Sequence, residues 1–178
     1  FPLPAHLSEQ HVLEAISLAN DGSGYSIGDN VMGAISHLTG LRYLNIEQSD
    51  ISDKGIGKIS GFKELRSLNV SHSLVTPRSA KIVGTFSKLY SLEMDGLKID
   101  DRAIADLAGL KELRSGFFRG GVITAAGVKS MKDWNKLIFL RLTNNKFGDA
   151  GAASLPVMNN IFELNVENCE LTDIGFQS

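Results

Sequence analysis

The chain has 178 residues, and its 18 basic and 20 acidic side chains give a net charge of -2, which does not predict nucleic-acid binding. Apolar residues make up 43% and charged residues 21%, as in globular proteins, which argues against wholesale disorder. No stretch approaches the roughly 20 apolar residues of a membrane-spanning helix, and a single cysteine excludes an internal disulfide framework.

At the start of the chain, residues 1–11 are expected to form an N-terminal cap on a repeat domain over residues 12–178. No basic segment followed by an apolar run marks a secretory signal, so the sequence predicts no compartment. Residues 12–40 form an irregular first unit with Leu13 and Ile16 at strand positions, and four residues are inserted before the regular units begin at residue 41. The last unit stops unfinished, which suggests a truncated chain or further residues beyond.

From residue 41 the chain repeats every 24 residues without an insertion or deletion. The leading apolar column of this repeat contains Leu41, Leu65, Leu89, Leu113, Leu137 and Ile161. Apolar residues recur three and five positions later with polar neighbours, as in a short strand. Parallel strands are therefore predicted to start near residues 13, 43, 67, 91, 115, 139 and 163. Further on, positions such as Ile56, Ile59 and Phe62 step by three, as on one face of a helix. One such unit cannot bury its own apolar face, but a stack of units can.

An aspartate comes just before the helical part of several units. These residues are Asp53, Asp101, Asp149 and Asp173. A carboxylate can accept the free backbone N–H groups of a first helical turn, so each aspartate is expected to be a helix N-cap.

Units such as residues 41–56, LRYLNIEQSDISDKGI, resemble leucine-rich repeats, in particular the 24-residue bacterial-type subclass and, more distantly, cysteine-containing repeats. The resemblance covers residues 12–178. It implies an α/β fold: a right-handed solenoid with a parallel sheet on the concave face and helices on the convex face. It also implies binding rather than catalysis, with no cofactor.

Two positions depart from that family pattern. The column that normally carries Asn, Cys or Thr in the turn holds Leu97 and Gly121, whose side chains cannot hydrogen-bond there, so we expect those two turns to be reshaped. Gly116 replaces a core leucine and leaves room that Phe117 or Phe118 would fill.

No catalytic or metal site is predicted. Cys169 occupies the turn column and is read as a buried turn residue rather than a reactive thiol. The four histidines share no ligand-like spacing. The Gly-rich residues 116–121 lack the Lys-Ser/Thr of a phosphate loop, and residues 21–26 lack the ligands of a calcium loop.

Strand residues that alternate with the apolar columns should point outward onto the concave sheet. Aromatic and arginine side chains collect there in the later units, as at interaction hot spots. The predicted partner-binding residues are Phe117, Arg119, Phe139 and Arg141, with Glu93 and Asp95 at the edge. In the alternative interpretation, Phe117 turns inward to fill the space at Gly116.

Charge is distributed unevenly along the stack. Residues 111–146 carry eight basic and two acidic side chains, whereas residues 147–178 carry five acidic and no basic ones. The leading hypothesis is a non-enzymatic module that recognises a protein or peptide on its concave sheet, without nucleic acid. The alternative is a structural or assembly segment of a larger adaptor or effector protein.

Overall fold

Each 24-residue unit folds as one short strand, a turn and one short helix. A computed structural model describes residues 13–19, 27–155 and 160–175, so the predicted cap at residues 1–11 and the insertion within residues 20–26 lie outside the described residues. The strands are β1 (Ala15–Ser17), β2 (Tyr43–Asn45), β3 (Ser67–Asn69), β4 (Ser91–Glu93), β5 (Ser115–Phe117), β6 (Phe139–Arg141) and β7 (Glu163–Asn165). The helices are α1 (Asp29–Ile35), α2 (Asp53–Lys58), α3 (Ala80–Val83), α4 (Asp101–Asp106), α5 (Ala125–Ser130) and α6 (Gly148–Ala152). Two 3-10 helices, Pro77–Ser79 and Met131–Asp133, adjoin α3 and α5.

The strands that the structure describes form one parallel sheet in the order β1 to β7. The register follows the sequence repeat, because Leu44 pairs with Leu68 and Leu68 pairs with Leu92. Strand β1 starts at residue 15 rather than near residue 13, and its Ile16 pairs with Leu44 across the predicted insertion. The predicted α/β solenoid, with a parallel sheet on one face and helices on the other, is confirmed.

The core lies between the sheet and the helices. The leading leucines Leu41 to Leu137 and the helix residues Ile56 and Ile104 are at most 1% exposed and belong to one continuous cluster. At the last unit the burial is incomplete, since Leu164 at the middle of β7 is 38% exposed. The central units therefore bury the most apolar surface, which makes β3 to β6 a firm base for the residues on the outer face of the sheet.

The turn after each of the strands β2 to β7 keeps a residue in the left-handed backbone region. These residues lie 24 apart and are Gln48, His72, Gly96, Gly120, Asn144 and Asn168. At Gly121, the side chain of Asn145 from the next unit fills the turn: its Oδ1 accepts the Ile123 backbone N–H (3.0 Å) and its Nδ2 donates to the Phe118 carbonyl (2.8 Å). At Leu97, the following residue Lys98 also has a positive φ of 52°, so that turn is reshaped differently.

The aspartates expected to be N-caps have a different role. The cap of α2 is Ser52, one residue before the predicted Asp53. The cap of α5 is Thr124, in a unit that has no aspartate at the corresponding position. Asp53 follows the cap and reaches the next unit, where Thr76 donates its backbone N–H (2.8 Å) and its hydroxyl (2.6 Å) to the two carboxylate oxygens. The cap prediction was wrong because the same carboxylate can accept from its own helix or from its neighbour.

This contact recurs and we call it the aspartate bridge. The bridges join Asp29 to Ser52, Asp53 to Thr76, Asp101 to Thr124 and Asp149 to Thr172. A glycine often receives the incoming carboxylate: a Cβ added at Gly55 would lie 2.6 Å from Asp29 Oδ1. In α2 the run Ser52-Asp53-Lys54-Gly55 therefore combines a cap, a bridge to the next unit and room for the bridge from the preceding unit.

Candidate functional site on the outer face of the sheet

The outer face of the sheet presents the first and third residue of each short strand. In β3 to β6 the middle residue is buried and the two flanking residues are partly exposed. This alternation follows from the two-residue side-chain period of a strand. The side chains predicted to point outward, including Phe117, Phe139 and Arg141, therefore lie on the accessible face.

Phe117 and Arg141 are stacked on adjacent strands. They are paired in the register of β5 and β6, and the Arg141 guanidinium carbon lies 5.1 Å from the centroid of the Phe117 ring. A guanidinium at this distance over an aromatic face is attracted by the ring quadrupole. Both residues remain partly exposed in this contact.

Phe118, not Phe117, fills the space beside Gly116. A Cβ at Gly116 would lie 2.9 Å from Phe118 Cε2, and Phe118 is fully buried. The Phe118 ring stacks on Trp134 with a centroid distance of 5.8 Å, and Trp134 donates its indole N–H to the Leu107 carbonyl (3.3 Å). The alternative interpretation, in which Phe117 turns into the core, is therefore wrong.

Phe162 extends the exposed aromatic surface and was missed by the sequence analysis. Its ring meets Phe139 edge to face with a centroid distance of 6.0 Å, and it is 82% exposed. It lies one residue before β7 and before the first of the columns used to assign outward residues. The signal that could have revealed it is a large aromatic residue at a position where four of the five preceding regular units carry arginine or tyrosine. We call Phe117, Phe139, Arg141 and Phe162 the aromatic–arginine cluster.

An acidic edge borders this cluster on the side of the earlier units. Glu93 pairs with Phe117 in the sheet register, and Asn69 Nδ2 donates to Glu93 Oε2 (3.4 Å) and to Glu47 Oε2 (3.2 Å). Burial raises the pKa of Glu93, and the negative charges of Glu47 and Asp95 raise it further, while Arg141 acts in the opposite direction. The side chain is thus a carboxylate with incomplete charge compensation.

Asp95 and Arg119 are joined through the backbone rather than by an ion pair. The Asp95 carboxylate accepts the backbone N–H of Arg119 (2.7 Å), and the Arg119 side chain is exposed. Among the residues that the structure describes, its guanidinium forms no salt bridge. The structure thus places all six predicted residues on the neighbouring strands β4 to β6 and the turns that follow them.

Cys169 lies apart from this surface, in the turn of the last unit. Its side chain is 1% exposed, and Sγ lies 3.0 Å from the Leu142 carbonyl oxygen, to which it donates. Burial raises the pKa of its thiol, which disfavours the reactive thiolate. Within residues 13–19, 27–155 and 160–175, no group of three His, Cys, Asp or Glu side chains is placed to hold a metal ion. No helix in the described ranges is long and apolar enough to span a membrane.

Comparison with known proteins supports the repeat assignment. Residues 37–60 and 135–155 match the family described as Leucine Rich repeat. The fold is similar to the crystal structure of an internalin C2 from Listeria monocytogenes, with 20% identity and a TM-score of 0.65 over 79% of this chain and 55% of that one. It is also similar to an internalin inlF from the same organism, with 19% identity and a TM-score of 0.58 over 90% of this chain and 56% of that one.

The chain therefore spans a little over half the length of these two internalin structures. At this level of identity the likeness concerns the fold. No curated protein sequence matches the chain.

Proposed function

We propose that this leucine-rich-repeat solenoid is a non-enzymatic module that recognises a protein or peptide through the outer, concave face of its sheet. Repeat solenoids of this kind offer extended surfaces to protein partners. The observation that carries the proposal is the aromatic–arginine cluster, in which Phe162 is 82% exposed and Arg141 is stacked on Phe117. Exposed aromatic and arginine side chains are the residue types that dominate binding energy at protein interfaces.

The cluster is suited to recognition because its geometry is set before binding. Strands β5 and β6 are paired in register and rest on buried Phe118 and Leu140, so Phe117 and Arg141 have little freedom to lose. Rigid side chains lose less conformational entropy on association than mobile ones. Glu93 and Asp95 on the adjoining strand add negative charge, which favours a partner with a basic group beside an apolar one.

The test begins with a partner captured by the intact chain, followed by calorimetry with purified proteins. Phe139→Ala and Arg141→Ala should each cost about 2 kcal/mol, or roughly thirtyfold in affinity, as expected for an anchor residue. The matched controls are Arg78→Ala and Arg102→Ala, which are exposed and lie in the helical layer. If the sheet variants bind as tightly as the parent while the helical variants bind weakly, the helical face is the working surface and the proposal is wrong.

A second candidate function, assembly within a larger protein, is favoured by the apolar surface of the last unit. Phe162, Leu164 and Ile174 are 82%, 38% and 73% exposed, although their neighbours in earlier units are mostly buried or polar. Exposed apolar patches of this kind mark association surfaces. Sedimentation velocity over a hundredfold concentration range separates the two candidates. Self-association that Phe162→Ser abolishes would support assembly, whereas a monomer at all concentrations would leave recognition as the function.

A further inference from the structure

A row of side chains lies along the side of the sheet on which the strands begin, one residue before each strand. We call this side the edge. From the second unit to the last it reads Arg42, Arg66, Tyr90, Arg114, Ile138 and Phe162. Backbone hydrogen bonds fix the row, because each residue donates its N–H to the carbonyl of the residue before it in the row, at 2.7 to 2.8 Å. The edge is therefore a rigid feature of the fold and not a loose collection of surface arginines.

The basic part of this row lines an open cleft of about 510 Å³. Its walls are Arg66, Lys88, Tyr90, Glu112 and Arg114, and we call it the edge cleft. Arg66 and Arg114 lie two strands apart, so their Cα atoms are about 10 Å from each other, with Tyr90 between them. The Tyr90 hydroxyl oxygen is 3.5 Å from that of Tyr43, so the Tyr90 side chain is directed toward the earlier units.

The charge in the edge cleft is unbalanced. Lys88 forms a salt bridge with Glu64 (2.6 Å), and Glu112 forms one with Lys136 (2.7 Å), so each nearby acid is already neutralised. Arg66 and Arg114 form no salt bridge with any residue that the structure describes. Arg66 and Arg114 thus carry positive charge that no salt bridge among the described residues neutralises, with only a longer-range interaction between Arg66 and the Glu64 carboxylate. Guanidinium is the side-chain group that best matches the planar geometry of a carboxylate.

We propose that the edge cleft binds an acidic segment of the protein or peptide partner, with carboxylate side chains paired to Arg66 and Arg114. This inference rests on the proposed recognition function and names the chemistry of the partner at a second contact. The cleft and the aromatic–arginine cluster lie along the same row, because the row ends at Phe162, which contacts Phe139. A partner that covers the cluster and follows the edge toward the earlier units would reach the arginines after crossing Ile138.

The composition of the cleft favours an acidic peptide over a nucleic acid. A phosphate backbone carries a regularly spaced charge and requires a continuous band of cations. Here the glutamates Glu64 and Glu112 interrupt the band, and the row turns apolar at Ile138. An acidic protein segment, with carboxylates separated by neutral residues, fits two arginines whose Cα atoms are about 10 Å apart.

The experiment uses a capped hexaglutamate peptide as the probe, added to the isotope-labelled chain and followed by amide chemical shifts. Capped hexaserine is the neutral control and a hexathymidylate oligonucleotide is the nucleic-acid arm. The variant is Arg66→Gln with Arg114→Gln, and its matched control is Arg78→Gln with Arg102→Gln, which removes the same charge from exposed positions in the helical layer. Thermal melts of both double variants establish that each is folded.

We expect hexaglutamate to shift the amides of residues 66, 90 and 114 and to bind more weakly as salt is added. Its affinity should fall about tenfold in the edge variant only, as for two exposed charged pairs that contribute about threefold each. Hexaserine should cause no shifts. Equal weakening by the two double variants, or shifts confined to residues 119 and 141, would overturn the inference. Tighter binding of hexathymidylate than of hexaglutamate at the same residues would overturn it in favour of a nucleic acid.

The same variants distinguish this inference from the proposed function. If a captured partner loses affinity with Phe139→Ala but binds the edge variant as tightly as the parent, the recognition function stands and the edge cleft is not part of it. If neither variant affects the partner, the recognition surface itself is wrong. If both weaken it, the partner spans the cluster and the cleft.

Discussion

Gly55→Ala should destabilise the chain although alanine is the better helix former. The added Cβ would lie 2.6 Å from Asp29 Oδ1 and 2.7 Å from Ile51 Cγ2, both closer than a real Cβ approaches, and 3.1 Å from Met32 Cγ, which is tighter than most real contacts. Overpacking of this kind costs about 1–3 kcal/mol, and the gain in helix propensity offsets about 0.5–1 kcal/mol of it. We expect a net loss of about 1–2 kcal/mol in the free energy of unfolding.

The matched control is Gly57→Ala, two residues along the same helix α2. No atom lies within 4 Å of a Cβ built at Gly57, so alanine there should raise the free energy of unfolding by up to about 1 kcal/mol. Urea melts followed by circular dichroism measure both variants. If the two substitutions change stability in the same direction, the aspartate bridge does not occupy the space that the structure assigns to it.

A double-mutant cycle identifies the contact responsible. In an Asp29→Ala background the carboxylate that meets the new methyl group is absent, so Gly55→Ala should cost less than it does in the parent. Residues in contact are expected to show a coupling free energy of about 0.5–3 kcal/mol. Additive effects of the two substitutions would show that Ile51 and Met32, rather than the bridge, limit the space.

Four further outcomes can be measured in the same way. Leu68→Ala and Leu140→Ala should each lower the free energy of unfolding by about 2–5 kcal/mol in urea melts, because each leaves a cavity in the core. Both leucine side chains are at most 2% exposed. Ser91→Ala on the outer face should change stability by less than about 0.5 kcal/mol, and a loss equal to that of Leu68→Ala would mean that the faces are reversed. The pKa of Glu93 is raised, so Glu93→Gln should gain stability relative to the parent as pH rises from about 4 to 7. Hydrogen bonds from Thr172 lower the pKa of Asp149, so Asp149→Asn should be less stable than the parent at pH 7. The difference in stability should close as pH falls below about 4. Titrations of the urea midpoint against pH that show neither the Glu93 trend nor the Asp149 trend would contradict both assignments.

The periodic features of the fold could be predicted because each is written as one residue type per unit. The leading leucines set the strand positions, and the starts of β2 to β7 match the sequence prediction. The outward placement of Phe139 and Arg141 follows from the alternation of a strand, which needs no knowledge of the neighbouring units. These features depend only on spacing within a unit.

The features that could not be predicted depend on which of two chemically equivalent arrangements packs better. An aspartate beside a helix start can accept from its own helix or from the next unit, and the glycine space at Gly55 favours the second. Phe117 and Phe118 both follow Gly116 closely, and although the apolar columns place Phe118 inward, only the structure shows that its ring fills the space at Gly116 and stacks on Trp134. Phe162 was missed because its contact with Phe139 crosses from one unit to the next.

The most direct test of the proposed function is a hydrogen-exchange footprint of a purified partner on the intact chain. The account predicts slowed exchange in peptides covering residues 115–121 and 139–145, which include β5, β6 and the turns after them. Peptides covering α4 and α5 should exchange at the same rate with and without the partner. Protection of the helices with no change in β5 and β6 would contradict the claim that the outer face of the sheet is the recognition surface.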